Sequence, residues 1–245
     1  MFYDFLYLFL LFFIYSTIGY LIEVIAVSIC LKKTTFSRGY LSEPYIPIYG
    51  IGVVSVIRLL SKYQNDLLTL FIMSTIVCTI LEYITSLLME KIFKLRWWDY
   101  SDKSFNINGR VCLTNSVLFG FGGIIIMKII NPFIEKILLS FPQSLIIVLS
   151  VLFLIIFIID FIISTITVFN IEVDIKKYTK KDATEIIKEE VREALKKHRF
   201  IIGRLFNAYP NVTQTKNINF KDYKELVLKI KEEYKKKKNK LIAKR

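Results

Sequence analysis

The chain has 245 residues, 54% of them hydrophobic, a mean hydropathy of +0.48 and a formal net charge of +13. Water-soluble domains are about 45–50% apolar, so this excess points away from an ordinary soluble enzyme and toward a membrane protein. Three cysteines (Cys30, Cys78 and Cys112, with no CxxC) suit apolar packing, and a single histidine, His198, excludes a histidine-rich metal site. No metal and no cofactor is expected.

In chain order, apolar runs cover 5–31, 45–60, 67–89, 111–130 and 145–169. Most are near the roughly 20 residues that a hydrocarbon core requires. The first run lacks a basic start, is too long and carries Glu23, so it does not read as a signal peptide. The second is shorter and holds Pro47, Gly50 and Gly52; it reads as a fifth span or as a re-entrant or broken helix. The expected fold is an all-α integral membrane protein of about five transmembrane helices. Residues 1–170 would form the transmembrane domain and 171–245 a basic cytoplasmic helical tail.

That tail holds 22 of the 34 Lys and Arg against 11 of the 21 acids, a net of +11. No separately folded reader accompanies the charge, so nucleic acid is not an expected partner. Basic residues after a final span mark the cytoplasmic side, which puts the N-terminus outside. The loops agree. Lys32, Lys33 and Arg38, then Lys91, Lys94, Arg96, Lys103 and Arg110, fall inside; Arg58, Lys62, Lys128 and Lys136 are left for the outer side. Within the tail, Thr179 to Asp182 resembles a capping box opening an amphipathic helix. A second helix starts near Phe220, and the KKKK run at 235–238 suits anionic lipid.

One pattern occurs twice. "SRGYLSEPYIPIYGIG", from Ser37, and "NGRVCLTNSVLFGFGG", from Asn108, share a Gly/Arg pair followed by aromatic-Gly-apolar-Gly. Upstream of each lies Ser-Thr-Ile followed by a glutamate, Glu23 or Glu82. The spacing predicts a parallel repeat of two membrane segments, or else chance similarity among Ile/Leu/Phe-rich runs. Glu23, Glu82 and Asp160 sit inside apolar runs, where an unpaired charge costs about 2.5–3.5 kcal/mol even on translocon scales. Ser16, Tyr20 and Glu23 share a helix face; so do Thr75, Thr79, Glu82 and Ser86, and so do Asp160, Ser164 and Thr167. Such stripes would line a substrate or ion pathway, for which Ser16, Tyr20, Glu23, Thr79, Glu82 and Asp160 are the candidates; the rival role is to tie helices together. A second candidate site is the polar, aromatic loop, with Trp98, Asp99, Tyr100, Asn106, Asn108 and Arg110, joined by Arg38 of the first loop. Its aromatic residues also suit the headgroup layer.

"FIYSTIGYLIEV", "SRGYLSEPYIPIYGIG", "WWDYS", "FNINGRVCL" and "RLFNAYPNV", in this order, resemble the bacterial ABC-transporter permease family of type IV, also called CmpB-like. The resemblance implies a multi-pass subunit of a transporter in the bacterial cell membrane. No GxxxxGK[ST] is present, so ATP hydrolysis would reside in a separate nucleotide-binding subunit and this chain would not itself be an enzyme. Five spans are few for a permease, which suggests a homodimer. Two other classes stay open. One is a membrane scaffold or regulator that recruits cytoplasmic partners; the other is a membrane enzyme acting on lipid-linked substrates through its carboxylates.

Overall fold

The computed structural model describes residues 2–32, 39–42, 44–178 and 213–214. Arg38, the tail helices expected from Thr179 and Phe220, and the KKKK run lie outside the described residues. Among the described residues six helices form the framework: α1 (Phe2–Leu31), α2 (Pro47–Leu60), α3 (Leu67–Phe93), α4 (Leu113–Ile125), α5 (Asn131–Leu139) and α6 (Gln143–Tyr178). A π-helical segment, Ile126–Ile130, joins α4 to α5, so the two form one continuous rod.

Among the described residues, four stretches are long and apolar enough to cross a membrane: Phe2–Ile29, Leu67–Phe93, Leu113–Leu139 and Gln143–Phe169. The third runs beyond the expected end at 130. Helix α6 continues past 170, across the expected boundary with the tail. Along α3, Ile72, Ile76, Ile80, Ile84, Leu88 and Ile92 repeat every fourth residue on one exposed face, while Leu70, Ser74, Glu82 and Ser86 are buried. An apolar face on this scale belongs against lipid. The chain is a membrane protein.

Helix α2 takes the broken-helix form. Its 14 residues span about 21 Å at 1.5 Å per residue, short of a hydrocarbon core of about 30 Å. The preceding segment explains the shortfall. The Ile46 N–H donates to the Ser16 carbonyl oxygen (3.0 Å), near the middle of α1, so α2 begins partway down the bundle. Pro47, with no N–H to satisfy, opens it. Leu41, Tyr45 and Ile46 are buried on the way down.

Neighbouring helices alternate in direction. Val53, Val54 and Ile57 of α2 pack against a cluster that includes Leu10, Leu11 and Tyr15, so α2 runs antiparallel to α1. Val56 and Leu60 meet Leu70 of α3 and Met127 of the π-helical segment, which sets α3 parallel to α1. One end of the bundle carries the segments 39–46 and 94–112. The other carries the tight connections at 61–66, where the Asp66 carboxylate accepts from the Thr69 N–H (3.1 Å) to cap α3, and at 140–142. Two short antiparallel ribbons finish the first end: Asn106–Ile107 with Val111–Cys112, and Leu95–Arg96 with Thr213–Gln214.

The repeat is visible in the packing. At Gly50 an added Cβ would collide with Ser16 Oγ and with the carbonyl oxygen and ring of Phe12. At Gly120 it would collide with Thr75 Oγ1 and the ring of Phe71. Ser16 and Thr75 both donate to the carbonyl four residues back, at 2.7 and 2.8 Å. Thus the register that sets Glu23 on Glu82 also sets Phe12 on Phe71 and Ser16 on Thr75. It is one residue away from the Ser-Thr-Ile match that the letters favour. In the second element of each half, Gly39 and Gly109 both adopt positive φ (85° and 66°), so each loop turns at the equivalent place.

The expected consequence is a sharp contrast between glycines. Gly50→Leu and Gly120→Leu should each lower the thermal unfolding midpoint in detergent by many degrees. At Gly122 an added Cβ meets nothing within 4 Å, and alanine favours a helix over glycine by about 1 kcal/mol. Gly122→Ala should therefore hold or raise the midpoint. Equal midpoints for all three would contradict this packing.

Candidate functional site

A cavity of about 490 Å³ lies where α2, α3 and α4 face one another, with Ile22 of α1 at its edge. Its wall is largely apolar. Gly52 and Gly122, the second glycines of the two repeated elements, both line it, whereas the first glycines are pressed against α1 and α3. Residues two apart on a helix point to nearly opposite sides, so one aromatic-Gly-apolar-Gly element can serve both purposes. The first glycine admits a close helix contact. The second leaves room.

Glu82 supplies the charge-bearing group. It is 6% exposed, and its Oε1 accepts from the Tyr100 hydroxyl at 3.4 Å, with Asn115 beside the carboxyl. Its Oε2 is buried and has no hydrogen-bond partner. Burial, and then the adjoining Glu82 carboxyl, push the Tyr100 hydroxyl above the usual tyrosine range, so it remains a donor. Glu82, Tyr100 and Asn115 therefore form the polar part of an otherwise greasy chamber.

The other pathway candidates divide. Glu23 is half-buried and accepts from the Tyr49 hydroxyl at 3.3 Å; Tyr49 also lines the cavity and lies within electrostatic reach of Glu82. The structure thus puts both glutamates around one tyrosine, Glu82 at the cavity and Glu23 behind its wall. Ser16 is fully buried beneath Gly50, a packing position. Thr79 donates to Ser116 across the α3–α4 contact (2.8 Å), and Tyr20 is half-buried on α1.

Asp160 lies apart from the cavity. Both of its oxygens accept from the Ser42 N–H at 3.0 Å, and the hydroxyls of Tyr45 (2.8 Å) and Ser164 (3.2 Å) donate to it as well. It anchors the segment that leads into α2. Backbone that is not helical survives at membrane depth only when its polar groups are satisfied within the protein. Asp160 does this here.

The loop residues build a folded cap on α3 and α4. Arg110 is buried and binds Glu90 at 2.6 Å, reaches Ser86 at 3.3 Å and lies over the Tyr83 ring. Arg96 joins the same Glu90 oxygen (3.4 Å) to Asp99 (3.5 Å). Desolvation acts to raise the Asp99 carboxyl, but hydrogen bonds from Ser101 and the nearby Arg96 outweigh it and hold the group below the usual aspartate range. Trp98 donates its indole N–H to the Arg110 carbonyl, Asn106 accepts from the Gly109 N–H, and Asn108, at positive φ, donates to Tyr83. Among the described residues of this candidate site only Tyr100 reaches the cavity. Tyr100 is held by its backbone, whose N–H donates to the Gly109 carbonyl at 2.7 Å.

Sequence reasoning missed Tyr49, Asn115, Tyr45 and Glu90. A signal for two of them existed. The register that pairs Gly50 with Gly120 also pairs Tyr45 with Asn115, and each lies against a buried acid, Asp160 or Glu82. It also missed a buried polar contact on the far side of the bundle, where Tyr15 donates to Asn131 and Asn131 to Glu135, both at 2.9 Å.

Removing one partner of a buried pair leaves the other charge uncompensated. Arg110→Met should therefore destabilise the chain by about 3 kcal/mol, measured by denaturant unfolding in detergent. Adding Glu90→Leu should recover most of that loss. A double variant no better than the single one would show that the pair does not hold the cap.

Comparison with curated proteins and with solved structures gives no match. A family model described as "Putative ABC-transporter type IV" matches residues 10–165, which include α2 to α5, the cap and both glutamates. The chain belongs to that ABC-transporter type IV family.

Proposed function

We propose that this chain is the permease, the membrane-embedded subunit of an ABC-type transport system, and that the chamber between its two halves is part of the substrate pathway. The observation that carries the reading is the Glu82 carboxyl, buried in an apolar chamber with one oxygen left for a ligand. A carboxyl placed only to tie helices together would have both oxygens satisfied by its neighbours, as Asp160 does. Intramembrane acids that are not so satisfied mark substrate or ion routes.

ATP hydrolysis on this reading belongs to a separate nucleotide-binding subunit. The folded cap at 94–112, buttressed by the Arg110–Glu90 pair, offers that subunit a stiff surface, and Tyr100 connects the cap to Glu82. A push on the cap is thereby coupled to the chamber. Two copies of the chain would complete the transporter. A scaffold role has one observation in its favour, the pairing of Thr213–Gln214 with Leu95–Arg96, which ties part of the tail to the cap. In a transporter the same pairing would strengthen the docking face.

Purification of the tagged chain from its native membrane in mild detergent should bring down a protein with a nucleotide-binding motif. The chain purifying alone, or with non-ATPase partners only, would favour the scaffold.

The orientation, with the N-terminus outside and the cap cytoplasmic, is tested separately. In a variant without the native cysteines, probes at the exposed positions Gln64 and Ser140 should react with an impermeant maleimide on intact cells, and a probe at exposed Ser104 should not. Reaction at Ser104 would reverse the topology.

A further inference from the structure

We infer that the chamber binds the head of a membrane amphiphile, an apolar chain ending in a protonated amine, which enters sideways from the bilayer. This names the substrate class of the transport reading and rests on it.

Three features converge on this chemistry. First, the wall is apolar apart from the Glu82, Tyr100 and Asn115 cluster and Tyr49, whose hydroxyl is turned to Glu23, which suits a molecule with one polar end. Second, no Lys or Arg is among the described residues lining the chamber, and Glu82 Oε2 is buried without a partner. A buried carboxylate oxygen in that state is best satisfied by a cation that also donates hydrogen bonds, and an ammonium does both. Tyr100 and Asn115 can orient the carboxyl and contact the remainder of the head. Third, the chamber reaches the lipid-facing surface. Ile22 and Leu118, on its rim, are 54% and 61% exposed, both at positions that would face acyl chains. A ligand already in the bilayer can enter between these residues with its chain still in lipid, and only the head has to be desolvated. A free ion or a small hydrophilic solute would leave most of the wall without a partner.

The two glycines set the width of the chamber. Near Gly52 only the Cys78 sulfur is close, 3.8 Å from an added Cβ, and near Gly122 there is open space. Gly122→Leu therefore fills the chamber without the collisions expected at Gly50, Gly120 or Gly123.

The test uses the full chain in nanodiscs of phosphatidylcholine, whose head offers no N–H donor, with empty nanodiscs as the reference. Radiolabelled decylamine, decanol and decanoate are titrated at neutral pH. Decylamine should bind saturably and at least about tenfold more tightly than decanol, the scale of a charge-assisted hydrogen bond. Glu82→Gln should weaken decylamine by about tenfold or more on the same grounds, and Gly122→Leu should abolish saturable binding while keeping its unfolding midpoint. Glu135→Gln, on the far side of the bundle, should stay within about threefold of the unmodified chain. Equal affinity for decanol and decylamine, or undiminished binding in Glu82→Gln, would overturn the inference. No nucleotide-binding partner is needed for this assay, so it can fail while the transport reading holds, and the reverse.

Discussion

A backbone inside a bilayer has no water to bond to, and that constraint organises this molecule. Ahead of α2, residues 39–42 and 44–46 run into the bundle as a loop. Three things make the descent tolerable. Asp160 accepts the Ser42 N–H and the Tyr45 hydroxyl, the Ser16 carbonyl accepts the Ile46 N–H, and Pro47 removes the next donor. The acid in α6 thus anchors the segment that leads into α2, and the Ser16 carbonyl of α1 holds its last residue. A short α2 in turn sets Tyr49 and Gly52 at the height of Cys78 and Glu82. The chamber follows from that placement.

The two halves use one plan with different endings. Each pairs a glutamate helix with a glycine-bearing helix, each turns its loop at a positive-φ glycine, and each packs its first helical glycine on a hydroxyl residue and a phenylalanine of the partner. The divergence lies at the entry to the second helix. In the first half Tyr45 faces Asp160, and Tyr49 meets Glu23. In the second half the equivalent positions are Asn115 and Phe119. Phe119 offers no hydroxyl, so Glu82 obtains its donor from Tyr100 of the cap instead. The exchange leaves one acid tied to its own half and one facing the shared space.

Much of this was legible in the letters. Hydropathy revealed the long helices, and the cost of intramembrane charge singled out Glu23, Glu82 and Asp160. The doubled Gly-x-Gly element pointed to related packing. What the letters withheld depends on partners distant in the chain. Nothing near Asp160 shows that it binds Ser42, and the aromatic character of the 94–112 loop gives no hint that Arg110 turns inward onto Glu90 while Tyr100 alone reaches the chamber. The repeat was legible only to within one residue, because Ser-Thr-Ile is a common string in apolar helices and only packing distinguishes the two registers. The length of α2 was ambiguous for the same reason. An apolar run ends where hydropathy ends, but a helix starts where its first N–H groups are satisfied.

The central claim is that short α2 lies against α3 with its second glycine turned to a space shared by both halves. A disulfide reports this directly. An added Cβ at Gly52 would lie 3.8 Å from the Cys78 sulfur, within reach of a bridge after a small rotation of the Cys78 side chain. With Cys30 and Cys112 replaced by alanine, Gly52→Cys should form an intramolecular bond to Cys78 on mild oxidation in the membrane. Mass spectrometry should then find the two peptides linked and both thiols protected from alkylation. If both cysteines stay fully alkylatable after oxidation, α2 does not occupy this position and the chamber between the halves does not exist as described.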